Sequence, residues 1–110
     1  ELERIIHLPM QMVETARLGK AYRIEDALSR YLNFCRHTLP TELSMHGLKL
    51  VVDCANGANY YLGPKLLTEF GANVRAIGDK PDGVNINADC GSPHPQLLQK
   101  QVCLEKADVG

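Results

Sequence analysis

The sequence contains no tryptophan, and aromatic residues make up only 5% of its 110 residues, so aliphatic side chains must supply most of its core. It also lacks a run of about 20 apolar residues, the length needed to cross a bilayer, and has no signal-peptide pattern. Neither charge is in excess, since 12 basic and 13 acidic residues give a formal net charge of −1. Proteins that bind nucleic acids or anionic membranes normally carry an excess of basic residues, so the composition argues against both partners.

Patterns typical of metal and nucleotide chemistry are missing as well. The four cysteines are scattered along the chain: Cys35, Cys54, Cys90 and Cys103. No two of them form a C-x-x-C pair, so their spacing does not indicate a zinc site. Reduced thiols in a cytoplasmic protein are the simplest interpretation. The dinucleotide fingerprint G-x-G-x-x-G and the P-loop pattern are both absent, which argues against a dinucleotide or nucleoside triphosphate site.

The clearest positive feature is a strand–turn–helix–strand pattern between residues 47 and 77. Residues 48–53 form a short, mainly apolar run, typical of a strand buried on both faces of a parallel sheet. Asn56-Gly57 then predicts a sharp turn in which the dipeptide supplies the positive φ. A helix is predicted over 60–70, with Gly71 as its left-handed C-terminal cap, followed by a second strand over 72–77. The segment is therefore predicted to be a βαβ unit.

The other segments add helices and the start of a third strand. Residues 22–37 predict a helix whose apolar stripe (Ile24, Leu28, Leu32, Cys35) is expected to cover one face of the sheet. Residues 78–91 have the composition of a loop, in which we expect the Asn side chains to hold the loop's own backbone. A last helix is predicted over 93–106, and a third strand beginning at Ala107 is expected beside the first. The order predicts a three-layer α/β/α domain with a mainly parallel sheet, truncated at its third strand.

The chain is predicted to contain two unequal parts. Residues 1–20 are interpreted as the end of a helix, stopped by Pro9, and a connector from a preceding domain. Residues 21–110 are interpreted as a second domain, and both ends look cut from a longer polypeptide. A single domain of this length buries roughly two thirds of its unfolded surface. Because most of the third strand is missing, we expect marginal stability, or pairing of that edge with another chain as in a homo-oligomer.

Candidate functional residues gather at the carboxyl ends of the predicted strands, where open α/β sheets bind ligands. Asp53, Asn56 and Gly57 follow the first strand, and the next helix would direct its N-terminal amides toward a phosphate there. A purely structural turn, in which Asp53 accepts backbone N–H bonds, explains the same residues. Ser92 is predicted as a helix N-cap with Pro93 at the first helical position. Ser92 and His94 could also face a substrate cleft, and the alternative for His94 is a surface histidine at the start of a helix.

Three motifs carry a resemblance to a known family. VVDCANGA (51–58), PDGVNINADCGSPHP (81–95) and LEKADVG (104–110), in this order and spacing, resemble the second domain of the α-D-phosphohexomutase superfamily. Within it they are most similar to the mutases that act on glucosamine phosphates. A phosphomannomutase or phosphoglucomutase is the alternative within the superfamily. A stand-alone α/β module that binds a small anion is the alternative from another class.

The resemblance implies an enzyme that interconverts glucosamine 6-phosphate and glucosamine 1-phosphate, on the route to UDP-N-acetylglucosamine and cell-wall precursors. It also implies phosphoryl transfer from a phosphoserine, assisted by Mg²⁺ on an Asp-Gly-Asp-Gly-Asp-Arg loop. In the family this loop follows the last strand directly, a few residues beyond Gly110. The family's catalytic Ser-His-Asn-Pro segment belongs to the first domain, and Ser92-Pro93-His94-Pro95 does not match it. The resemblance therefore implies no catalytic residue and no metal ligand within these residues.

The same motifs differ from the family pattern at one position. Related mutases usually have threonine where this chain has Pro93. The difference removes a hydroxyl group, so any role that needs one at this position is not expected here. The expected ligand remains a small sugar phosphate.

Overall fold

The computed structural model describes residues 1–110 and shows an α/β fold. In chain order the elements are α1 (Leu2–Ile6), a 3-10 turn (Thr15–Arg17), α2 (Ala27–His37), β1 (Lys49–Asp53), α3 (Leu62–Glu69), β2 (Asn73–Ile77) and α4 (Gln96–Glu105). β1 and β2 are parallel, with Val51 opposite Arg75. On the other edge of β1, Val109 forms a parallel bridge with Leu50. The predicted βαβ unit, and the predicted place of the third strand beside the first, are confirmed.

α3 ends where the sequence predicted, at a glycine in a left-handed conformation. Gly71 has φ +96°, and its amide donates to the carbonyl oxygen of Thr68 at 3.0 Å. A Cβ atom at this position would lie 2.7 Å from the ring of His46. The backbone angle favours glycine, whereas the exposed His46 side chain could move aside, and the chain turns directly from α3 into β2.

The core is small and centres on the two strands. α3 packs on β2, α4 packs on β1, and α2 packs on α3. The buried apolar residues are Leu32, Leu50, Val51, Cys54, Ala72, Ile77 and Cys90. All four cysteines are free thiols. None of the helices has the length and hydrophobicity needed to span a bilayer.

α2 differs from its prediction at its start and in its packing. It begins at Ala27 rather than residue 22, and Ile24 is 61% exposed. Only Leu32 of the predicted stripe is fully buried, and α2 packs mainly against α3, where Arg36 forms an ion pair with Glu69. A helix of this length depends on burying its apolar face, and the residues before Ala27 find no apolar partner. The prediction that the whole stripe covers the sheet is therefore wrong.

The start of α4 was also predicted wrongly. The helix begins at Gln96 with Pro95 as its N-cap, so Ser92 is not the cap and Pro93 is not its first residue. Instead, residues 91–94 form a turn in which the amide of His94 donates to the carbonyl oxygen of Gly91 at 2.9 Å. A residue that precedes proline is disfavoured in the α conformation, and His94 precedes Pro95. The second proline therefore delays the helix.

The molecule exposes much more surface than a compact domain of its size. Its accessible surface is 9107 Å², whereas a compact protein of 12.2 kDa exposes about 6,000 Å². The radius of gyration is 19.9 Å, compared with about 13 Å expected for a compact chain of this length. Only about half of the unfolded surface, ~17,700 Å², is buried, so the prediction of two thirds is wrong.

The N-terminal residues contribute to this surface, because every residue before α2 is exposed. Ten large apolar side chains before α2 are exposed: Leu2, Ile5, Ile6, Leu8, Met10, Met12, Val13, Leu18, Tyr22 and Ile24. From the sequence, the hydrophobicity of these residues looked ordinary. The composition could not show that they lack a packing partner within residues 1–110.

Candidate functional site

The carboxyl end of β1 leads into a turn with an unusual backbone. Ala55 and Asn56 have φ angles of +53° and +49°. The turn was predicted in the right place, and Asn56 has the positive φ predicted for the Asn-Gly dipeptide, but the second residue with positive φ is Ala55 and not Gly57. Left-handed conformations cost non-glycine residues about 1–2 kcal/mol each, so the surrounding contacts must stabilise this turn.

Asp53 provides two of those contacts through its carboxylate. Oδ1 accepts the amide of Ala55 at 2.9 Å. Oδ2 accepts the amide of Gly91 at 2.6 Å, 38 residues further along the chain. The structural interpretation of Asp53 as an acceptor of backbone N–H bonds is therefore confirmed. The second bond lies beyond the turn, and no short-range sequence signal could have predicted it.

Asn56 connects the turn to the middle of the 78–91 loop. Its Oδ1 accepts the amide of Lys80 at 3.1 Å, and its Nδ2 donates to the carbonyl oxygen of Asn85 at 3.3 Å. Backbone bonds support the same junction, from Asn56 to Gly78 at 2.5 Å and from Asn87 to Ala55 at 2.8 Å. The turn after β1 and the 78–91 loop therefore form one connected unit at this edge, called here the edge unit.

Within the edge unit, the 78–91 loop also holds its own backbone, as predicted. Asn85 Oδ1 accepts the amide of Asp82 at 3.0 Å, and its Nδ2 donates to the carbonyl oxygen of Lys80 at 2.9 Å. Asp82 Oδ1 accepts the amide of Val84 at 2.9 Å. These local bonds are typical of Asn and Asp in turns. Asn85 was therefore detectable from sequence as a structural residue, although it was not among the predicted site residues.

The five predicted site residues are divided between two cavities and the surface. Asp53 and Ser92 contribute to a cavity of about 450 Å³ whose apolar lining comes mainly from β1, with single leucines from α3 and α4. Asn56 and Gly57 line a second cavity of about 270 Å³, between the turn and the 78–91 loop. His94 lines neither cavity and has an exposed side chain, as has Ser92. The structure thus brings the residues to one edge of the sheet without gathering them around one point.

Burial and nearby carboxylates raise the pKa of the two buried thiols at this edge. Burial raises the pKa of the Cys90 thiol, and the neighbouring carboxylates of Asp53 and Asp89 raise it further. The pKa of Cys54 is also raised, first by burial and then by Asp79 and Asp53. A neutral, buried thiol is a poor nucleophile. Neither cysteine is therefore a candidate catalytic group.

The carboxylates at this edge do not form a metal site. No three His, Cys, Asp or Glu side chains come together in a way that could hold a metal ion. Both carboxylate oxygens of Asp53 are already used by backbone amides. Residues 1–110 therefore offer no group of side chains suited to hold Mg²⁺.

Comparison with curated proteins shows which sequences the chain is similar to. No protein-family model matches the chain. It is 55% identical over 109 residues to the phosphoglucosamine mutase of Pectobacterium carotovorum subsp. carotovorum (strain PC1) and 53% identical over 109 residues to that of Erwinia tasmaniensis. It is 48% identical over 110 residues to that of Psychromonas ingrahamii. The chain is homologous to a segment of phosphoglucosamine mutase. The matches cover 99–100% of this chain and 24–25% of the relatives, so it spans about a quarter of their length.

The homology confirms the resemblance found in the motifs. It also places the edge unit within the part shared with the phosphoglucosamine mutases, because the alignments run through practically the whole chain. Asp53, Asn56 and the 91–94 turn therefore belong to the homologous segment.

Proposed function

We propose that this chain is one α/β segment of an enzyme that interconverts glucosamine 6-phosphate and glucosamine 1-phosphate. The observation that carries the proposal is the 48–55% identity to phosphoglucosamine mutases along the whole chain. The α/β fold, with a parallel βαβ unit, is consistent with that assignment. The proposed ligand is a small sugar phosphate, and the product would supply UDP-N-acetylglucosamine synthesis.

In this proposal the reacting groups lie in other parts of the enzyme. We assign the phosphorylated serine to a part of the enzyme outside residues 1–110. The ligands of Mg²⁺ are assigned there as well, to segments that correspond to the remaining three quarters of the relatives. Mg²⁺, when bound, offsets negative charge on the transferred phosphoryl group. The free thiols are consistent with a reducing, cytoplasmic location for the enzyme.

The contribution of this chain is positional. The carboxyl ends of parallel strands form the edge where α/β enzymes bind their ligands. Here that edge is built by the turn after β1, which is bonded to the 78–91 loop through Asp53 and Asn56. Catalysis of phosphoryl transfer depends largely on positioning, so a rigid edge is a useful contribution without a reacting group.

A chimaera tests the proposed function. Residues 1–110 replace the homologous segment of the Pectobacterium carotovorum enzyme, and the unaltered enzyme serves as the matched control. We expect the chimaera to interconvert the two glucosamine phosphates, with a kcat/KM within about tenfold of the control, because the buried residues of a homologous segment can usually repack without loss of fold. The assay also includes glucose and mannose phosphates. A folded chimaera that is inactive on glucosamine phosphates, or prefers another hexose phosphate, would contradict the proposal.

The isolated chain gives a second test of the same assignment. We expect the purified 110-residue chain to show no interconversion of glucosamine phosphates in the presence of Mg²⁺. We also expect calorimetric titration to show only weak, unsaturable Mg²⁺ binding, since its carboxylates do not gather. Turnover by the isolated chain, or saturable Mg²⁺ binding in the micromolar range, would show that the reacting groups are assigned to the wrong segments.

A further inference from the structure

The side chain of Asp53 joins three parts of the molecule. It stands at the end of β1, bonds to Ala55 in the following turn and bonds to Gly91 at the end of the 78–91 loop. Gly91 is buried and has φ +76°, and a Cβ there would lie 2.7 Å from the Cβ of Ala55. The turn and Gly91 are thus in close contact, and one carboxylate bonds to both of them.

The residues that follow Gly91 depend on this position. The carbonyl oxygen of Gly91 accepts the amide of His94 at 2.9 Å, which closes the 91–94 turn. Ser92 and His94 project from that turn with exposed side chains. A hydroxyl and an imidazole can both donate hydrogen bonds to phosphate oxygens. The turn therefore presents two suitable donors at the carboxyl edge, the side of the sheet where ligands bind.

We propose that Asp53 is a positioning residue that holds the 91–94 turn so that Ser92 and His94 contact the phosphate group of the sugar. The proposal rests on the proposed function, since it assigns this edge to a sugar phosphate. We assign no phosphate contact to Asp53 itself, because its carboxylate is negatively charged and each of its oxygens accepts a backbone amide. Its charge nevertheless matters, since a carboxylate accepts both amides, whereas an amide side chain would turn an N–H group toward one of them.

A double-mutant cycle in the chimaera tests the positioning role. Asp53→Asn should lower kcat/KM roughly 100-fold, the scale of a displaced catalytic geometry. His94→Ala should lower it about tenfold, mainly through KM, as expected for a lost hydrogen bond to a charged ligand. If Asp53 acts through the turn, the double variant should be no worse than Asp53→Asn alone. Asp82→Asn, the matched control, removes an exposed carboxylate that bonds only within its loop and should stay within twofold of the parent.

The outcomes separate this proposal from the proposed function. An inactive parent chimaera contradicts the proposed function, and the positioning role falls with it. An active parent whose Asp53→Asn variant retains its kcat/KM, or whose two losses multiply, contradicts the positioning role alone. If Asp53→Asn does not fold, Ser92→Ala and His94→Ala decide, because both side chains are exposed. Unchanged KM in both variants would show that the turn does not meet the phosphate.

Discussion

Replacing Gly91 by alanine probes the contact on which the edge unit depends. Two separate costs are expected. The φ of +76° disfavours any L-residue by about 1–2 kcal/mol. The new Cβ would also lie 2.7 Å from Ala55 Cβ and 2.8 Å from Asn87 Oδ1. Such an overlap in a well-packed site costs about 1–3 kcal/mol. Because the turn around Ala55 is fixed by hydrogen bonds, it cannot easily move away, and the total should be about 2–5 kcal/mol.

Gly83 supplies a matched control for the backbone cost. It lies in the same loop with φ +97°, and a Cβ there would meet no atom within 4 Å. Gly83→Ala should therefore destabilise the chain by only about 1 kcal/mol. The difference between the two variants measures the close approach of the turn and the loop, separated from the cost of the backbone conformation.

Urea unfolding followed by circular dichroism measures this difference. With a slope of about 1.5 kcal/mol per molar urea, an extra 2 kcal/mol or so should lower the unfolding midpoint of Gly91→Ala by roughly 1 M relative to Gly83→Ala. If Gly91→Ala is already unfolded in buffer while Gly83→Ala is folded, the result also supports the close contact, because the destabilisation then exceeds the stability of the chain. Midpoints that agree within error would refute the close contact between Gly91 and the turn.

Two further predictions concern the core and the thiols. Leu32→Ala should destabilise the chain by about 2–3 kcal/mol, because Leu32 is only 4% exposed. Leu28 on the same helix is 52% exposed, so Leu28→Ala should cost less than about 1 kcal/mol. Equal urea midpoints of the two variants would contradict the packing of α2 on α3. Cys103 should be alkylated first at pH 8, since Cys54 and Cys90 are buried with raised pKa values. The folded chain therefore holds the thiol protons of Cys54 and Cys90 more tightly than the unfolded chain does. Stability should then fall as pH rises above about 8.5. A urea midpoint that rises from pH 8 to pH 10 would contradict this direction.

The parallel strands were predictable because their signal is local. The apolar run over 48–53 and the left-handed glycine at position 71 are properties of a few neighbouring residues, and the observed strand begins within one residue of its prediction. The delayed start of α4 also had a local signal, since two prolines at positions 93 and 95 disfavour a helix before Gln96. The prediction instead followed Ser92-Pro93, a pair that is typical of a helix N-cap and first helical residue.

The remaining features depend on contacts that a linear pattern does not contain. The periodicity over 22–37 indicated a helix but could not show that Ile24 lacks a packing partner. The bond between Asp53 and Gly91 spans 38 residues and arises only when the loop folds back on the turn. The sequence therefore identified Asp53 as a candidate but could not assign its second partner.

Residue-resolved amide exchange of the 110-residue chain tests most directly whether the edge unit is one rigid body. The amides of Asn56, Asn87 and Gly91 bond across the turn and loop, and the amide of Cys54 bonds to β2. We expect the first three to be protected to a similar degree as Cys54, because they should open together with the sheet. Exchange of these amides as fast as in residues 10–13, whose amides make no backbone hydrogen bond, would contradict the account.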